Sequence, residues 1–231
     1  MKLNRNFTLS IHFILDKLLP PLLRDSYWFM APIFYLLFGR KSQYYLEFKQ
    51  KLYTLSDQQI NQYYEILVDT FIHRETDLNI ESIRYIEKNI QGNTVLDVAS
   101  GRGFLSEKLA AQGHLVTGVD IFHPSKVQEN QNLCFLTAEI TALPFPDNHF
   151  DTVVCTHTLE HIRDLPLALK EIRRVCQKRL IVVVPCQREY RYTFDLHIHF
   201  FPYEYNLRKF VGAAGRITKA GGDFIYTEDM L

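Results

Sequence analysis

The sequence lacks several features that would place it in a class at once. Its four cysteines form no C-x-x-C pair, so neither a disulfide framework nor a cysteine metal site is indicated. No apolar run approaches the roughly 20 residues of a membrane-spanning helix, since the most hydrophobic stretch, 27–39, is short and contains Pro32. The formal net charge is zero, which argues against a general nucleic-acid binder.

No clear targeting segment is present either. The apolar stretch 7–15 contains His12 and has no cleavage site of small residues, as a secretory signal would require. We therefore expect reduced cysteines that pack as small apolar residues, and a cytoplasmic location.

The amino-terminal part of the chain differs in composition from the rest. Residues 1–55 carry eight Lys and Arg against three Asp and Glu, and 16 of the 31 aromatic residues precede residue 93. We expect residues 1–78 to form a helical extension. Two interpretations remain open: a cap that closes the substrate pocket, or a peripheral membrane contact made through residues 1–55, with aromatic groups at the lipid headgroups and cations toward anionic lipid.

A strand, a tight turn, a helix and a second strand follow one another between residues 94 and 120. The β-branched run 94–98 predicts a buried parallel strand, and the small residues 99–103 predict a sharp turn. Helical spacing of apolar residues follows over 104–112. The next apolar strand ends in Asp120, so the segment predicts a nucleotide-binding βαβ unit.

The chemistry of this unit follows from its turn. Gly101 and Gly103 have no Cβ, so the backbone can approach a ligand closely. The helix that begins after the turn points free amide N–H groups toward the same place. Asp120, at the carboxyl end of the second strand, is placed to accept hydrogen bonds from ribose hydroxyls. These features indicate an adenosine-type ligand.

The details of the turn separate two kinds of nucleotide. A dinucleotide fingerprint needs a third glycine, where this chain has Ser106, and it does not ask for an acid inside the strand, where this chain has Asp97. The pattern D-x-A-x-G-x-G from Asp97 instead resembles motif I of the class I S-adenosylmethionine-dependent methyltransferases. The chain departs from that motif at Ala99, where the family normally has glycine.

The loop 138–151 carries a second and more specific resemblance. Pro144 and Pro146 exclude regular structure there. The segment from Glu139 to Asp151 resembles the (D/E)-I-T-x-L-P-F-P-D-N-x-F-D segment of many small-molecule methyltransferases. The resemblance implies that Glu139 accepts a hydrogen bond from the adenine amino group and that Ile140 packs on the ring.

The resemblance covers about residues 79–227 and implies a doubly wound, mostly parallel, seven-stranded Rossmann-like α/β sheet, which we expect to occupy residues 79–231. It implies S-adenosyl-L-methionine as cofactor and a small-molecule acceptor, while the zero net charge argues against a nucleic-acid partner. The candidate cofactor-binding residues on the matching motifs are Asp97, Ala99, Ser100, Gly101, Gly103, Asp120, Ile121, Glu139, Ile140 and Thr156.

Three histidines are candidates for catalysis, because an oxygen acceptor benefits from a general base near neutral pH. His157 directly follows a predicted strand, at the place of the family's H-x-L-E-H stretch. His197 and His199 alternate in an extended segment, which puts both on one face. His161 is expected to be structural. We expect no metal site, because no cysteine ligand has a useful spacing to these histidines.

Three hypotheses are compatible with these residues. The first is methyl transfer from S-adenosylmethionine to a small molecule, with a hydrophobic or lipid-linked acceptor suggested by the aromatic extension. The second is a binding or scaffold protein that keeps the fold without turnover, for which Ala99 is the only hint in the motif. The third is a dinucleotide-dependent oxidoreductase, which Asp97 and the proline-rich loop disfavour.

Overall fold

A computed structural model describes residue 14 and residues 18–67, 76–122 and 127–230. The chain divides into two compact units. The helical unit comprises Met1–Arg74 and Gln187–Ile198, and the sheet unit comprises Glu75–Cys186 and His199–Leu231. In the part of the chain that the structure describes, no helix combines the length and the apolar character that crossing a membrane requires.

The helical unit contains four α-helices within its described residues. Pro20 precedes the first, and a short 3-10 turn, Gly39–Lys41, joins the second to the third. The helices are α1 Pro21–Arg24, α2 Tyr27–Phe38, α3 Ser42–Lys51 and α4 Asp57–Leu67.

Aromatic packing holds the segment 187–198 in the helical unit. The Phe34 ring of α2 stacks on Phe194 with their centroids 4.6 Å apart. The Arg24 guanidinium donates to the Glu189 carbonyl oxygen at 3.3 Å, and the Tyr64 hydroxyl donates to the Leu196 carbonyl oxygen at 3.0 Å. The segment therefore belongs to the core of the helical unit, although more than a hundred residues separate it in sequence from the rest of that unit.

A capping box stands at the start of α4. The Ser56 backbone N–H donates to Gln59 Oε1 at 2.8 Å, and the Gln59 N–H donates to Ser56 Oγ at 3.2 Å. These reciprocal bonds satisfy backbone donors that the first helical turn leaves without partners.

The sheet unit is built on seven strands in the spatial order β3-β2-β1-β4-β5-β7-β6. Strands β1 to β5 run parallel, and β7 is antiparallel to both of its neighbours. The strands are β1 Thr94–Val98, β2 Leu115–Asp120, β3 Leu133–Thr137, β4 Phe150–Thr156, β5 Cys176–Pro185, β6 Arg216–Ala220 and β7 Asp223–Asp229. The expected mostly parallel, seven-stranded Rossmann-like sheet is confirmed.

Helices cover both faces of the sheet, as the doubly wound interpretation requires. They are α5 Ile80–Asn89, α6 Phe104–Ala111, α7 Leu165–Arg174 and α8 Glu204–Val211. Val95 of β1 packs in one core with side chains of α5 and α6. Leu96, its neighbour along the strand, packs in the other core with side chains of α7 and α8. Neighbouring side chains of β1 thus point to opposite faces of the sheet and pack in two separate cores.

The parallel arrangement brings four connecting segments to one edge of the sheet. The turn 99–103 follows β1, residues 121–122 follow β2, the loop 138–149 follows β3, and residues 157–162 follow β4. In an open α/β sheet, ligands bind at the carboxyl ends of the strands, near the place where the strand order reverses. Here that place lies between β1 and β4.

The compact units and the expected domains do not have the same limits. The sheet unit begins at Glu75, whereas the sequence analysis placed a boundary after Leu78. In addition, Gln187–Ile198 joins the helical unit, although the sequence analysis assigned it to the region 79–231. As functional domains, 1–78 and 79–231 remain a prediction.

Candidate active site

The turn after β1 has three residues in the left-handed backbone region. Gly101 and Gly103 have φ of 55° and 79°, and Ala99 has φ of 57°. Glycine occupies this region freely, whereas alanine is strained there because its Cβ lies close to the following carbonyl oxygen. Ala99 therefore stands at a position where the backbone prefers glycine, which agrees with the family's motif.

Close packing, rather than backbone freedom alone, requires glycine at two positions of the unit. A Cβ at Gly103 would lie 2.8 Å from Phe135 Cζ. A Cβ at Gly118 in β2 would lie 2.4 Å from the same ring. A Cβ at Gly101, in contrast, would meet no atom within 4 Å, so the described side chains leave open space above this residue.

The Asp120 carboxylate links the carboxyl ends of β1 and β2. Its Oδ2 accepts a hydrogen bond from the Gly101 N–H at 2.8 Å. Its Oδ1 accepts a second bond from the Phe122 N–H at 3.1 Å. Burial raises the pKa of Asp120, and the backbone donors act in the opposite direction. The turn and the carboxylate are thus held together where the sequence placed a ribose ligand.

Asp97 is a buried acid near the end of β1, only 1% exposed. Its Oδ2 accepts a hydrogen bond of 2.6 Å from the Ser106 hydroxyl of α6. Burial raises the pKa of Asp97 to about 7, although the bonds from Ser106 oppose this change. The pair fixes the first helix to the first strand, and hence the turn between them.

Ser100 contributes a polar atom that lacks a partner. Its backbone N–H donates to the Val119 carbonyl oxygen at 3.0 Å, and its carbonyl oxygen accepts from the Gly103 N–H at 2.9 Å. Its Oγ is buried and makes no hydrogen bond within the described residues. A buried hydroxyl without a partner is costly, and such atoms are characteristic of sites that a ligand completes.

Arg174 of α7 binds the backbone of the loop after β3. Its guanidinium donates to the carbonyl oxygens of Leu143 and Phe145 at 3.0 and 2.7 Å. Glu139 is exposed at the start of the loop, and Ile140 is 7% exposed and packs into the core. The fixed loop backbone therefore presents the Glu139 carboxylate outward, near the end of β3.

His157 stands directly after β4 with φ of 48°, a strained value for a residue with a side chain. Its Nε2 lies 3.3 Å from Asp223 Oδ2, and its Nδ1 lies 3.4 Å from Glu160 Oε1. Burial opposes a charge on the ring, but the two carboxylates raise the pKa of His157 well above its ordinary value. A charged imidazole cannot accept a proton, so this geometry favours a positioning role over that of a general base.

Asp223, at the start of β7, gathers several polar groups around this histidine. Its Oδ2 accepts hydrogen bonds from Asn79 Nδ2 at 2.6 Å and from Ser82 Oγ at 2.8 Å. Asn79 is also the cap of α5, since its Oδ1 accepts from the N–H groups of Glu81 and Ser82. One buried carboxylate thus ties the start of α5 to the end of β4.

His199 is attached to the segment that follows β4. Its backbone N–H donates to the Glu160 carbonyl oxygen at 3.0 Å. Its Nε2 lies 3.0 Å from the Ile162 carbonyl oxygen. A carbonyl oxygen can only accept, so Nε2 carries the proton and Nδ1 is the basic nitrogen of the neutral ring.

His197 belongs to the helical unit and is 6% exposed. Its Nδ1 lies 2.7 Å from Gln187 Oε1, and the Gln187 amide Nε2 donates to the Tyr190 hydroxyl at 2.8 Å. Although alternation places His197 and His199 on one face of an extended segment, the two residues fall in different compact units and make different hydrogen bonds. Their catalytic assignment stays a prediction.

Seven of the ten candidate cofactor residues lie in β1, in β2 or in the segments that follow these strands. A hydrogen bond joins Asp120 to the turn from Ala99 to Gly103, and Asp97 is bound to Ser106 of the helix that follows the turn. Ile121 directly follows Asp120, Thr156 ends β4 directly before His157, and both residues are partly exposed. The structure thus brings the motif I residues together, and within the sheet unit His157 and His199 both contact Glu160.

Several residues of the site carried no local signal. Ser106 was noted only for occupying a glycine position, and nothing in its surroundings indicates a buried carboxylate nine residues earlier. Asp223 lies 66 residues after His157, and Asn79 lies 144 residues before Asp223. Arg174 resembles any surface cation at the end of a helix. Contacts of such sequence separation are set by the sheet topology.

Residues 96–184 match a family model described as a methyltransferase domain. The match begins within β1, ends within β5, and includes both motifs noted in the sequence. Residues 96–184 are therefore similar to a methyltransferase domain, of the class I S-adenosylmethionine-dependent type that both motifs resemble.

Curated relatives of this methyltransferase domain are similar over the same region. The malonyl-[acyl-carrier protein] O-methyltransferase of Erwinia pyrifoliae is 39% identical over 97 residues, which are 40% of this chain and 37% of that protein. The ubiquinone biosynthesis O-methyltransferase of Coxiella burnetii is 35% identical over 96 residues, 38% of this chain and 41% of that protein. The chain thus spans about two fifths of the length of these relatives.

A solved structure extends the likeness of the fold beyond the matched region. The structure of a SAM dependent methyltransferase from Aquifex aeolicus superimposes with a TM-score of 0.55 and 20% identity, over 77% of this chain and 100% of that one. At this level of identity the likeness concerns the fold. S-adenosylmethionine is the cofactor of this methyltransferase family.

Proposed function

We propose that this chain transfers a methyl group from S-adenosylmethionine to a small-molecule acceptor. The observation that carries the proposal is the turn after β1, where Gly101 is open above its Cα, Ser100 Oγ is buried without a partner in the described residues, and Asp120 closes the strand edge. A close backbone approach, an unsatisfied hydroxyl and an acid at a strand end together fit an adenosine ligand.

The cofactor would be held by residues of three connecting segments. Asp120 would accept hydrogen bonds from the ribose hydroxyls, and the turn 99–103 would face the amino-acid portion. Glu139, exposed at the start of its loop, would accept from the adenine amino group. Ile121 and Ile140 would pack on the ring, and Thr156 would lie toward the methyl group. When bound, the sulfonium supplies an electrophilic methyl group.

The protein's part in the transfer is to orient the acceptor and, for an oxygen acceptor, to remove its proton. We assign the base to His199, because its Nε2 proton is committed to the Ile162 carbonyl oxygen and Nδ1 is the basic nitrogen. His157 has the opposite character, since Asp223 and Glu160 hold its ring in the charged form. We assign it to positioning the segment after β4.

The class of acceptor is the finer part of the proposal. The two relatives named above are O-methyltransferases that, by their names, act on a carrier-bound malonyl group and in ubiquinone biosynthesis. These names support an oxygen acceptor for this chain, and the aromatic helical unit supports one that is hydrophobic or lipid-linked. A cytoplasmic location with peripheral contact to a membrane, and the absence of a nucleic-acid partner, belong to the same proposal.

A second candidate is a methyltransferase-fold protein that binds without turnover. The observation in its favour is Ala99, whose φ of 57° stores strain in the turn that should receive the cofactor. Loss of cofactor affinity at this turn would leave a scaffold with an intact sheet.

Calorimetric titration of the purified protein with S-adenosylmethionine, S-adenosylhomocysteine and NAD tests the proposal. We expect both adenosyl-sulfur ligands to bind and NAD not to bind. Binding of NAD alone would indicate an oxidoreductase, and binding of none of the three would favour the scaffold.

A variant at the assigned base tests the chemical role separately. His199→Gln keeps a polar side chain but removes the basic nitrogen, so we expect an unchanged dissociation constant for S-adenosylmethionine and a turnover of an oxygen acceptor lower by about 100-fold or more. His149→Gln, a change in an exposed loop histidine, is the control. Equal turnover of the two variants would remove His199 from the reaction.

A further inference from the structure

Helix α2 is apolar on all sides, although only one side is buried. Met30, Ala31 and Phe34 are at most 4% exposed and lie in the core of the helical unit. The opposite side carries Trp28 and Leu36, which are 87% and 86% exposed. A helix that is hydrophobic all round is normally buried all round. We therefore treat its outward side as a candidate interaction surface.

The outward side of α2 has the regular spacing of one helical face. Trp28, Pro32, Tyr35 and Leu36 recur at i, i+4, i+7 and i+8, and all four are exposed. These residues are called the outward face below. The short helix α1 precedes it with Leu22, which is 89% exposed. Exposed apolar surface of this extent marks an interaction site rather than an ordinary protein surface.

Charged groups are scarce along this face and concentrated at one end of it. Between residues 18 and 39 the only charged residues are Arg24 and Asp25. Arg24 is buried, and Asp25 Oδ1 accepts a hydrogen bond from the Arg191 N–H at 2.7 Å. The exposed Arg40 follows α2 directly, with Lys41 beside it. The face is thus apolar in its middle and cationic at one end.

A bilayer surface fits this arrangement better than a protein groove. Tryptophan and tyrosine, with an apolar body and a polar tip, prefer the level of the lipid headgroups. A 12-residue helix is only about 18 Å long, too short to span the hydrocarbon core but suited to lying in its plane. The excess of eight cations over three acids in residues 1–55 complements an anionic surface.

We propose that the outward face of α2 docks on the surface of an anionic lipid bilayer, with Trp28 and Tyr35 among the headgroups and Arg40 toward lipid phosphate. This inference adds a lipid surface to the proposed function. It rests on the proposed methyl transfer only for its purpose, which is to bring the protein to a lipid-linked acceptor. The contact itself requires neither cofactor nor turnover.

Trp28 is the only tryptophan of the chain, so its fluorescence reports directly on the proposed contact. The purified protein, residues 1–231, is titrated with vesicles of phosphatidylcholine, alone or mixed with phosphatidylglycerol. We expect a blue shift of the emission and protection from acrylamide quenching with the anionic vesicles, together with co-sedimentation. An emission spectrum unchanged by the anionic vesicles would overturn the proposal.

Matched variants locate the contact. The double substitution Leu22→Gln and Leu36→Gln removes two exposed apolar side chains without changing charge, and should weaken partitioning by about tenfold or more. The control is Tyr53→Gln, because Tyr53 is 90% exposed in the same unit but follows α3. Arg40→Gln should weaken binding to anionic vesicles by about fivefold and leave binding to neutral vesicles unchanged.

A second copy of the chain is the competing occupant of the outward face. Sedimentation velocity without lipid tests it. A dimer that the Leu22→Gln and Leu36→Gln substitutions dissociate, without any binding to vesicles, would replace the bilayer by a homodimer interface. Titration with S-adenosylmethionine in the absence of vesicles is independent of all these measurements, so a failure of docking and a failure of the proposed methyl transfer can be told apart.

Discussion

His157 Nε2 lies 3.3 Å from Asp223 Oδ2, and these two residues join the end of β4 to the start of β7. Glu160, which is fully buried, faces the other ring nitrogen. Both carboxylates therefore favour the charged ring, and the positive φ of His157 is held by contacts from two separate elements. We therefore expect His157, one of the three candidate bases, to act as a positioning cation.

The first prediction concerns the pH dependence of this network. The pKa of His157 is raised above that of an unfolded chain, about 6.5. Its contribution to stability is therefore complete below about pH 6.5 and is lost as the pH rises through the folded pKa. His157→Gln should lower the free energy of unfolding by about 3 kcal/mol at pH 6 and by less at high pH.

Urea unfolding of wild type and variant between about pH 5.5 and about pH 9 measures this difference. His149→Gln, a change of an exposed histidine in the loop before β4, is the control. A destabilisation by His157→Gln that stays constant over the whole range would show that the ring acts only by its shape.

The second prediction concerns Asp97, whose pKa burial raises to about 7. The unfolded chain ionises this group near pH 3.9, so the folded state loses stability between that pH and about pH 7. Asp97→Asn keeps an acceptor for Ser106 and cannot ionise. We expect the variant to gain stability over wild type as the pH rises from about 4 to 7, by on the order of 1 kcal/mol per pKa unit.

Thermal unfolding at a series of pH values measures this gain for Asp97→Asn. Glu81→Gln, a change in an exposed acid of α5, serves as the reference. A parallel pH dependence of Asp97→Asn and wild type would mean that Asp97 is ionised in the folded protein at acidic pH.

The third prediction concerns Ala99, the departure from motif I. Ala99→Gly relieves left-handed strain of about 1–2 kcal/mol but increases the entropy of the unfolded chain, so the net gain in the free energy of unfolding should be about 0.5–1 kcal/mol. Ala111→Gly, at the end of α6, should act in the opposite direction. Chemical unfolding of the three proteins measures both effects, and a loss of stability in Ala99→Gly would contradict the strain.

The fourth prediction concerns Asp120. Asp120→Ala removes the acceptor proposed for the ribose hydroxyls and also frees the Gly101 N–H. The dissociation constant for S-adenosylmethionine should rise by about tenfold or more, equivalent to about 1.4 kcal/mol. Calorimetry on the variant, with circular dichroism to confirm the fold, is the measurement. Affinity equal to that of wild type would exclude Asp120 as the ribose ligand.

Local sequence signals predicted most of the sheet unit correctly. The βαβ unit and the proline-rich loop depend on residues close together in the chain, and the structure has both at or within a few residues of the expected position. Motif I was recognisable for the same reason, since Asp97, Gly101 and Gly103 carry it within seven positions of the chain.

Tertiary structure decided what depends on distant partners. The charge of His157 depends on Asp223, 66 residues later. The assignment of 187–198 to the helical unit depends on aromatic packing with α2, and so cannot be read from the segment's own composition.

The sequence by itself determined the fold class, the order of its elements and the family, because hydrophobic periodicity and turn chemistry act over short distances. Only the tertiary structure decided which polar groups meet, and which face of an all-apolar helix stays exposed. The physical reason is that burial and pKa depend on the whole set of neighbouring atoms, and the chain path alone brings those atoms together.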